Sequence, residues 1–389
     1  MNDFPRFTGW ETAQHVLCVR LDAAGDVLMT EPALRALATS HGGRRLTLLT
    51  SKSGREAARL IPYLDQVIEY EAPWMKSATP RPSSGDDLAM VERLRSQQID
   101  AAVIFTVYTQ SALPAALFCS LAEIPRRAAH SRENPYYLLT EWVRETEPDI
   151  RLRHEVRRQL DLVTALGCTV TDDRLSVAIG TDAFRSIDRI LSEHIDSRRR
   201  WIVIHPGASA ESRRYPIDSF AAVAARLVQS HDCQILWTGS QGEAPLVAQA
   251  QEMMGAPSHS LAGRLSFEEL AALIARAPLL ISNNTSAVHL ASAVSTAVVD
   301  LYALTNPQHT PWRVRCRVLF EDVPCRFCYK SVCPERHHRC LRGVSPDTVT
   351  AAALALLPPS PGRKTLPYGQ ETSCLWEDKL HAPARSRGT

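Results

Sequence analysis

Short apolar runs rich in β-branched residues recur along this chain, and each is followed by a longer stretch with helical spacing of its apolar positions. That alternation is the pattern of βαβ units and leaves a parallel sheet as the economical solution. Residues 16–21 (VLCVRL), 46–50 (LTLLT), 66–70 (QVIEY) and 101–105 (AAVIF) read as buried strands. The spacing predicts helices over Pro32–Ser40, 88–97, 113–122 and up to Leu166, with 76–87 as a loop. After a polar stretch near 180–200, read as a linker, the pattern restarts. Strands are expected at 201–205, 234–238, 278–282 and 297–302, and helices at 217–230, 243–254, 266–276 and 285–294. The expected class is therefore α/β, with two domains facing a cleft. The expected bounds are a tail over 1–14, a first domain over 15–185, a second over 198–357 and a disordered tail over 358–389. A length of 389 residues agrees with two domains.

Charge narrows the partners. Forty-four basic and 42 acidic side chains leave a net charge of +2, without the strongly basic balance of an electrostatic nucleic-acid binder. A small anionic ligand needs only a few arginines. No apolar run reaches the roughly 18 residues of a membrane span. The first twenty residues lack the apolar core of a signal peptide. A cytoplasmic location is expected, with reduced thiols and at most peripheral contact with the inner face of the inner membrane.

In open α/β sheets, ligands bind beyond the carboxyl ends of strands, so the residues after each strand matter most. The first strand runs into Arg20-Leu21-Asp22-Ala23-Ala24-Gly25-Asp26. Gly25 permits close backbone approach. Asp26 either caps the following helix or faces the cleft as a general base, and Asp22 reads as a loop residue. After strand 201–205 come Gly207 and Ser209, able to present an N–H and a hydroxyl to an anion. Arg213 there offers a planar fork for phosphate oxygens, whereas Arg214 reads as solvated. Thr238-Gly239-Ser240-Gln241-Gly242-Glu243 follows another strand, with Glu243 placed to accept ribose hydroxyls. Finally, 282–291 (SNNTSAVHLA) carries a strand into a helix whose first turn is small and polar. Helix N–H groups and the dipole suit a diphosphate there, with Asn284, Thr285 and Ser286 at the turn. His289 lies one helical turn past Thr285.

These segments, together with VVDLYALTNPQHTPW at 298–312, resemble glycosyltransferase family 9, the ADP-heptose:lipopolysaccharide heptosyltransferase family, from about residue 16 to about 357. The resemblance implies a GT-B fold of two Rossmann-like domains and inverting transfer of a sugar, a heptose, from a nucleotide-diphosphate donor, ADP-heptose. The acceptor it implies is a hydroxyl of a lipopolysaccharide core or related glycan. It casts Asp26 as the base that deprotonates that hydroxyl. Arg213, Ser209 and the 285–294 helix become the diphosphate grip, Glu243 the nucleoside contact, and Asn284 to His289 the lining of the donor sugar and phosphates. Two positions depart from the family's pattern, with Asn284 where it carries aspartate and Ser286 where it carries glycine.

No Asp-x-Asp element is present to hold a divalent ion, so no cofactor or catalytic metal is expected. Charge on the leaving diphosphate would fall to cationic side chains and a helix end. Arginines between Arg126 and Arg158 read as a solvated face or as a surface for an anionic lipid-linked acceptor. Cys325, Cys328, Cys333 and Cys340 have ligand-like density, with His337 and His338 among them. They read as reduced thiols or as a structural zinc site, lying away from every strand-to-helix mouth. Two other functions share the pattern. A nucleotide-sugar epimerase would need no acceptor, and a non-catalytic nucleotide-sugar binder would be indifferent to Asp26.

Overall fold

The computed structural model describes residues 7–358 except 77, 149 and 151. The chain divides into two compact units at Ala178/Ile179, and among the described residues each is built on a six-stranded parallel sheet.

In the first unit the strands are β1 (His15–Arg20), β2 (Arg45–Thr50), β3 (Gln66–Glu69), β4 (Ala101–Ile104), β5 (Arg126–Ser131) and β6 (Glu141–Arg144), in the order β3-β2-β1-β4-β5-β6. The chain leaves β1 toward β2 on one side and returns to β4 on the other. The switch point therefore falls between β1 and β4, where such sheets open a crevice. β1 is buried at every position, as a central strand covered on both faces should be. The helices are α1 (Ala24–Ser40), α2 (Lys52–Ala58), α3 (Gly85–Ser96), α4 (Leu113–Leu121) and α5 (Glu155–Ala165). Residues 7–14, expected as tail, are tied to this unit. Trp10 is buried, and the Phe7 N–H donates to the Ala165 carbonyl.

The second unit holds α6 (Thr181–His194), β7 (Arg200–His205), α7 (Ile217–His231), β8 (Cys233–Trp237), α8 (Ala244–Met254), β9 (His259–Ser260) and α9 (Phe267–Arg276). It continues with β10 (Leu280–Asn283), α10 (Ser286–Ala293), β11 (Val298–Leu301), β12 (Cys316–Leu319), α11 (Arg339–Arg342) and α12 (Pro346–Leu356). The order β12-β11-β10-β7-β8-β9 puts the switch between β7 and β10. The core packs Phe220, Trp237, Ile281 and Val299 between the sheet and its helices.

Three expectations are corrected. The stretch near 180–200 contains α6, whose Ala183 and Ile187 are buried four residues apart. Its polar composition reflects one wet face, and it belongs with the second unit, where Ser186 donates to Glu269 of α9. α1 begins at Ala24 rather than Pro32, because the Asp26 carboxylate accepts the Ala23 N–H and closes the first turn eight residues before the proline. The arginines expected on a solvated face are partly interior. Arg153 and Arg158 are buried and ion-paired with Glu145, Glu147 and Asp161. Burial alone would raise the Glu145 carboxyl, yet Arg158 and His130 hold it below its ordinary value. The network fastens the start of α5 to the end of β6, and Arg158 also donates to the Thr106 carbonyl beyond β4. The tail from 359 onward, Cys374 included, lies outside the described residues.

A buried ion pair is costly chiefly when one partner is removed. Arg158→Ala should therefore lower the unfolding free energy by about 3–5 kcal/mol. Arg157→Ala, at a half-exposed side chain pairing with Asp161, should cost less than about 1 kcal/mol. Urea unfolding followed by tryptophan fluorescence checks both.

Candidate active site

At the exit of β1 the chain buries a cation. Arg20 is fully buried and ion-paired with Asp22 at 3.2 Å, Asp26 at 3.2 Å and Glu155 of α5 at 2.9 Å. Burial works against its charge, but the surrounding carboxylates hold the guanidinium above its ordinary pKa. Glu155 takes a further hydrogen bond from Gln159 at 2.6 Å. Asp26 caps the start of α1, the first of the two roles considered for it from sequence, and is also tied into the Arg20 cluster. One oxygen caps α1 through the Ala23 N–H at 3.1 Å, and the other faces Arg20. Its side chain keeps 18% exposure, enough to meet a ligand. Gly25 is buried in the first turn beside it.

Asp22 is no ordinary loop residue. Besides pairing with Arg20 it accepts from Gln110 Nε2 at 2.7 Å. Burial pushes its carboxyl up to about 6 against the pull of Arg20. Arg20, Glu155 and Gln110 went unremarked in the sequence. The signal was there in Arg20, a charged residue ending a strand otherwise apolar.

In the second unit the switch point gathers the loops after β7, β8 and β10. Gly207 sits against Glu243, and a Cβ at 207 would collide with that carboxyl. A larger residue at 207 would push the end of the Glu243 side chain out of its present position. Glu243 also accepts the Ser240 N–H at 2.8 Å and its hydroxyl at 2.9 Å, which fixes the carboxylate at the loop surface. His205 is buried beneath, its Nδ1 3.1 Å from Thr238 Oγ1, and burial lowers its pKa. Ser209 is exposed at the rim. Arg213 lies half-buried in a short 3-10 turn, Glu211–Arg213, and forms no salt bridge among the described residues. Arg214 instead folds back, its Nε donating to the Ala208 carbonyl at 2.8 Å.

Asn283 ties two loops together. Its Oδ1 accepts the Tyr215 N–H at 2.9 Å, and its Nδ2 donates to the Pro206 carbonyl at 2.7 Å. Thr285 is the N-cap of α10, accepting from the Ala287 N–H. Ser286 is half-buried in the first turn, and His289 is buried one turn on. Asn284 donates to Asp300 of β11 at 3.0 Å and to the His309 carbonyl at 2.8 Å. Asp300 is fully buried with Oδ1 unbonded, and burial raises its carboxyl to about 8. Sequence reading passed over Asn283 and Asp300, whose importance lies in cross-strand contacts.

The cysteine segment is not remote from the strand mouths. The Phe327 and Tyr329 N–H groups donate to the carbonyls of Leu304 and Thr305 beyond β11, and the Lys330 and Ser331 carbonyls accept from Ser212. This loop braces the turn that carries Arg213. Cys325 Sγ lies 3.7 Å from His337 Nε2, and Cys325, Cys328, Cys333 and Cys340 are free thiols. Among the described residues, no three His, Cys, Asp or Glu side chains are arranged to hold a metal ion.

Two parallel α/β units, each with polar loops at its switch point, make up a doubly wound architecture. Residues 88–338 match glycosyltransferase family 9 (heptosyltransferase), and the chain belongs to that family. Over 160 residues it is 28% identical to lipooligosaccharide heptosyltransferase 2 of Campylobacter jejuni, a match covering 40% of this chain and 50% of that protein. The chain thus spans about half the length of that relative. Over 349 residues it is 26% identical to lipopolysaccharide heptosyltransferase 3 of Escherichia coli, covering 86% of this chain and 95% of that one. The solved structure of E. coli ADP-heptose LPS heptosyltransferase II superposes with a TM-score of 0.68 at 20% identity, covering 88% of this chain and 98% of that chain. The fold is GT-B. The matched segment includes every second-unit site residue and leaves Asp26 outside it. Among the described residues, no helix is long and apolar enough to cross a membrane.

Asp300 gives the site a pH signature. Its carboxyl is raised from about 3.8 unfolded to about 8 folded. The folded state then binds the extra proton, and stability from this group is full below the lower value and lost as pH rises through the upper one. Asp300→Asn keeps an acceptor for Asn284 without the charge. Relative to the wild type it should become progressively more stable between pH 5 and about 8.5, checked by melting temperature across that range.

Proposed function

We propose that this chain is an inverting glycosyltransferase that moves a heptose from ADP-heptose to a hydroxyl of a lipopolysaccharide core or related glycan. The observation that carries the reading is Asp26, held by Arg20 and the Ala23 N–H at the exit of β1 with part of its carboxylate open. A general base must be oriented before it can act, and both contacts orient it. Asp26 takes the proton from the acceptor hydroxyl. The freed oxygen attacks the anomeric carbon as the bond from that carbon to the diphosphate breaks. The configuration at that carbon inverts.

The diphosphate leaves with extra negative charge, which must be stabilised where it develops. Arg213 supplies a guanidinium that pairs with no carboxylate among the described residues, and α10 presents its N-terminus from Thr285 onward. Ser209 and Gly207 border the phosphates. Glu243, steadied by Ser240, takes the ribose hydroxyls. Asn284, Ser286 and His289 line the sugar side, with Asn284 held in place by Asp300. This division needs no divalent ion. The donor assignment draws on the E. coli structure named for ADP-heptose, and the acceptor on the lipopolysaccharide and lipooligosaccharide enzymes among the relatives. Such work would place the protein in the cytoplasm, touching the inner membrane only peripherally.

Asp26→Asn should retain nucleotide-sugar affinity while transfer falls about 10²–10⁴-fold, the range for loss of a general base. Arg213→Ala should weaken ADP binding about 10–100-fold, the loss of charge-assisted hydrogen bonds of about 1.5–3 kcal/mol. Calorimetric titration with ADP and a discontinuous transfer assay separate the two. Unchanged transfer in Asp26→Asn would remove it as base, and unchanged ADP affinity in Arg213→Ala would remove that residue from the site.

A further inference from the structure

Large apolar and aromatic side chains left in water gather on one side of the first unit. Leu117 and Leu121 of α4 are about half exposed, and Tyr136 and Tyr137, in the loop between β5 and β6, are 79% and 93% exposed. One guanidinium ties the two segments together. Arg127 donates from Nε to the Leu138 carbonyl and from Nη2 to the Tyr137 carbonyl, each at 2.8 Å, and from Nη1 to the Ile124 carbonyl just past α4. Arg95 of α3 donates to the Leu121 carbonyl at 2.7 Å. The tyrosine tip is itself a closed turn. Asn134 Oδ1 accepts the Tyr136 N–H, and the Leu138 N–H donates to the Pro135 carbonyl, both at 2.9 Å. The two rings are thus fixed in water beside the end of α4.

We infer that this face docks on a lipid bilayer by apolar insertion, an inference that rests on the transfer reading above and gives a lipid-linked acceptor its line of approach. Pro114, Leu117 and Leu121 are spaced by three and four residues, one face of α4. Pro114 lines the crevice between β1 and β4, so the apolar stripe leads from that crevice to the tyrosines. Size and charge choose the occupant. At about 150–250 Å² for an aromatic side chain, the four side chains present roughly 500 Å², short of the about 800 Å² per partner of a stable protein interface. A bilayer asks for no matching surface: leucine enters among the acyl chains, and tyrosine settles at the headgroup level. The flanking charges nearly cancel. Segments 92–95 and 123–127 carry four arginines and two glutamates, and both glutamates pair with Arg95. Glu11 lies beside Arg126, and Arg132 and Glu133 offset each other in the tyrosine loop. With so small a surplus of positive charge, insertion rather than attraction to anionic lipid carries the binding.

Vesicle co-sedimentation of the full-length protein tests this without turnover. Wild type should sediment with phosphatidylcholine vesicles, and only about fivefold more tightly when phosphatidylglycerol is added, the effect of one basic side chain near the surface. Binding should persist in about 1 M salt, where the Debye length falls to about 3 Å. Leu117→Gln with Leu121→Gln, and separately Tyr136→Ser with Tyr137→Ser, should each weaken it more than about tenfold, with the melting temperature and its shift with ADP unchanged. No sedimentation by the wild type, undiminished binding by both paired variants, or release by salt would each overturn the inference. A concentration-dependent dimer in the absence of vesicles, abolished by the same variants, would assign the face to a second copy instead. Failure of sugar transfer from every donor would sink the transfer reading and leave vesicle binding standing. Failed vesicle binding would leave transfer to a soluble core oligosaccharide intact.

Discussion

A guanidinium taken wholly out of water is tolerated only if negative charge surrounds it, and Arg20 satisfies that demand with Asp22, Asp26 and Glu155. Much of the first unit's functional geometry depends on this cluster. It joins the end of β1, the first turn of α1 and the start of α5. It also orients Asp26 on one oxygen while the Ala23 N–H orients the other. The neighbouring ion-pair network of Arg153 and Arg158 fastens α5 to β6, so the helix that supplies Glu155 is anchored from behind. The charged groups that look superficial in sequence are here interior, and the placement of Asp26 depends on their packing.

The second unit solves a different problem, bringing backbone and small side chains close to where an anion can bind. Gly207 lets the loop after β7 touch Glu243, and Asn283 clamps that loop to β10 through Pro206 and Tyr215. The cysteine segment supports the same loop from another side through Ser212. Half-buried Asn284, just past the end of β10, donates to buried Asp300 of β11. With asparagine at 284 the region still holds an acidic side chain, because Asp300 places a carboxyl directly behind it, which burial pushes up to about 8.

Eight of the twelve strands among the described residues, and most of the longer helices, were legible because their apolar spacing is strong, as in 46–50 or 217–230, whereas the short β9 and β12 gave no such pattern. β5 and β6 were missed because their strand residues include Arg126, Arg127, Glu141 and Arg144, whose charges read as surface. α6 was missed for the opposite reason, since only a narrow stripe of it is buried. Candidate residues that follow strands stood out by position, as Asp26, Gly207 and Asn284 did. Gln110, Asn283 and Asp300 gave no such signal, because each matters through partners distant in sequence. The cysteine loop's place beside the Arg213 turn was likewise invisible, being fixed by backbone hydrogen bonds that leave no trace in residue type.

The most direct measurement of the central claim is the stereochemistry of transfer. Purified protein would be incubated with ADP-heptose of defined anomeric configuration and a heptose-deficient lipopolysaccharide core in excess EDTA, and the new linkage read by NMR. The account predicts a glycoside of inverted configuration, formed despite the chelator. A retained configuration would contradict Asp26 as the base of a single displacement. Loss of transfer in EDTA would contradict stabilisation of the diphosphate by Arg213 and α10 alone.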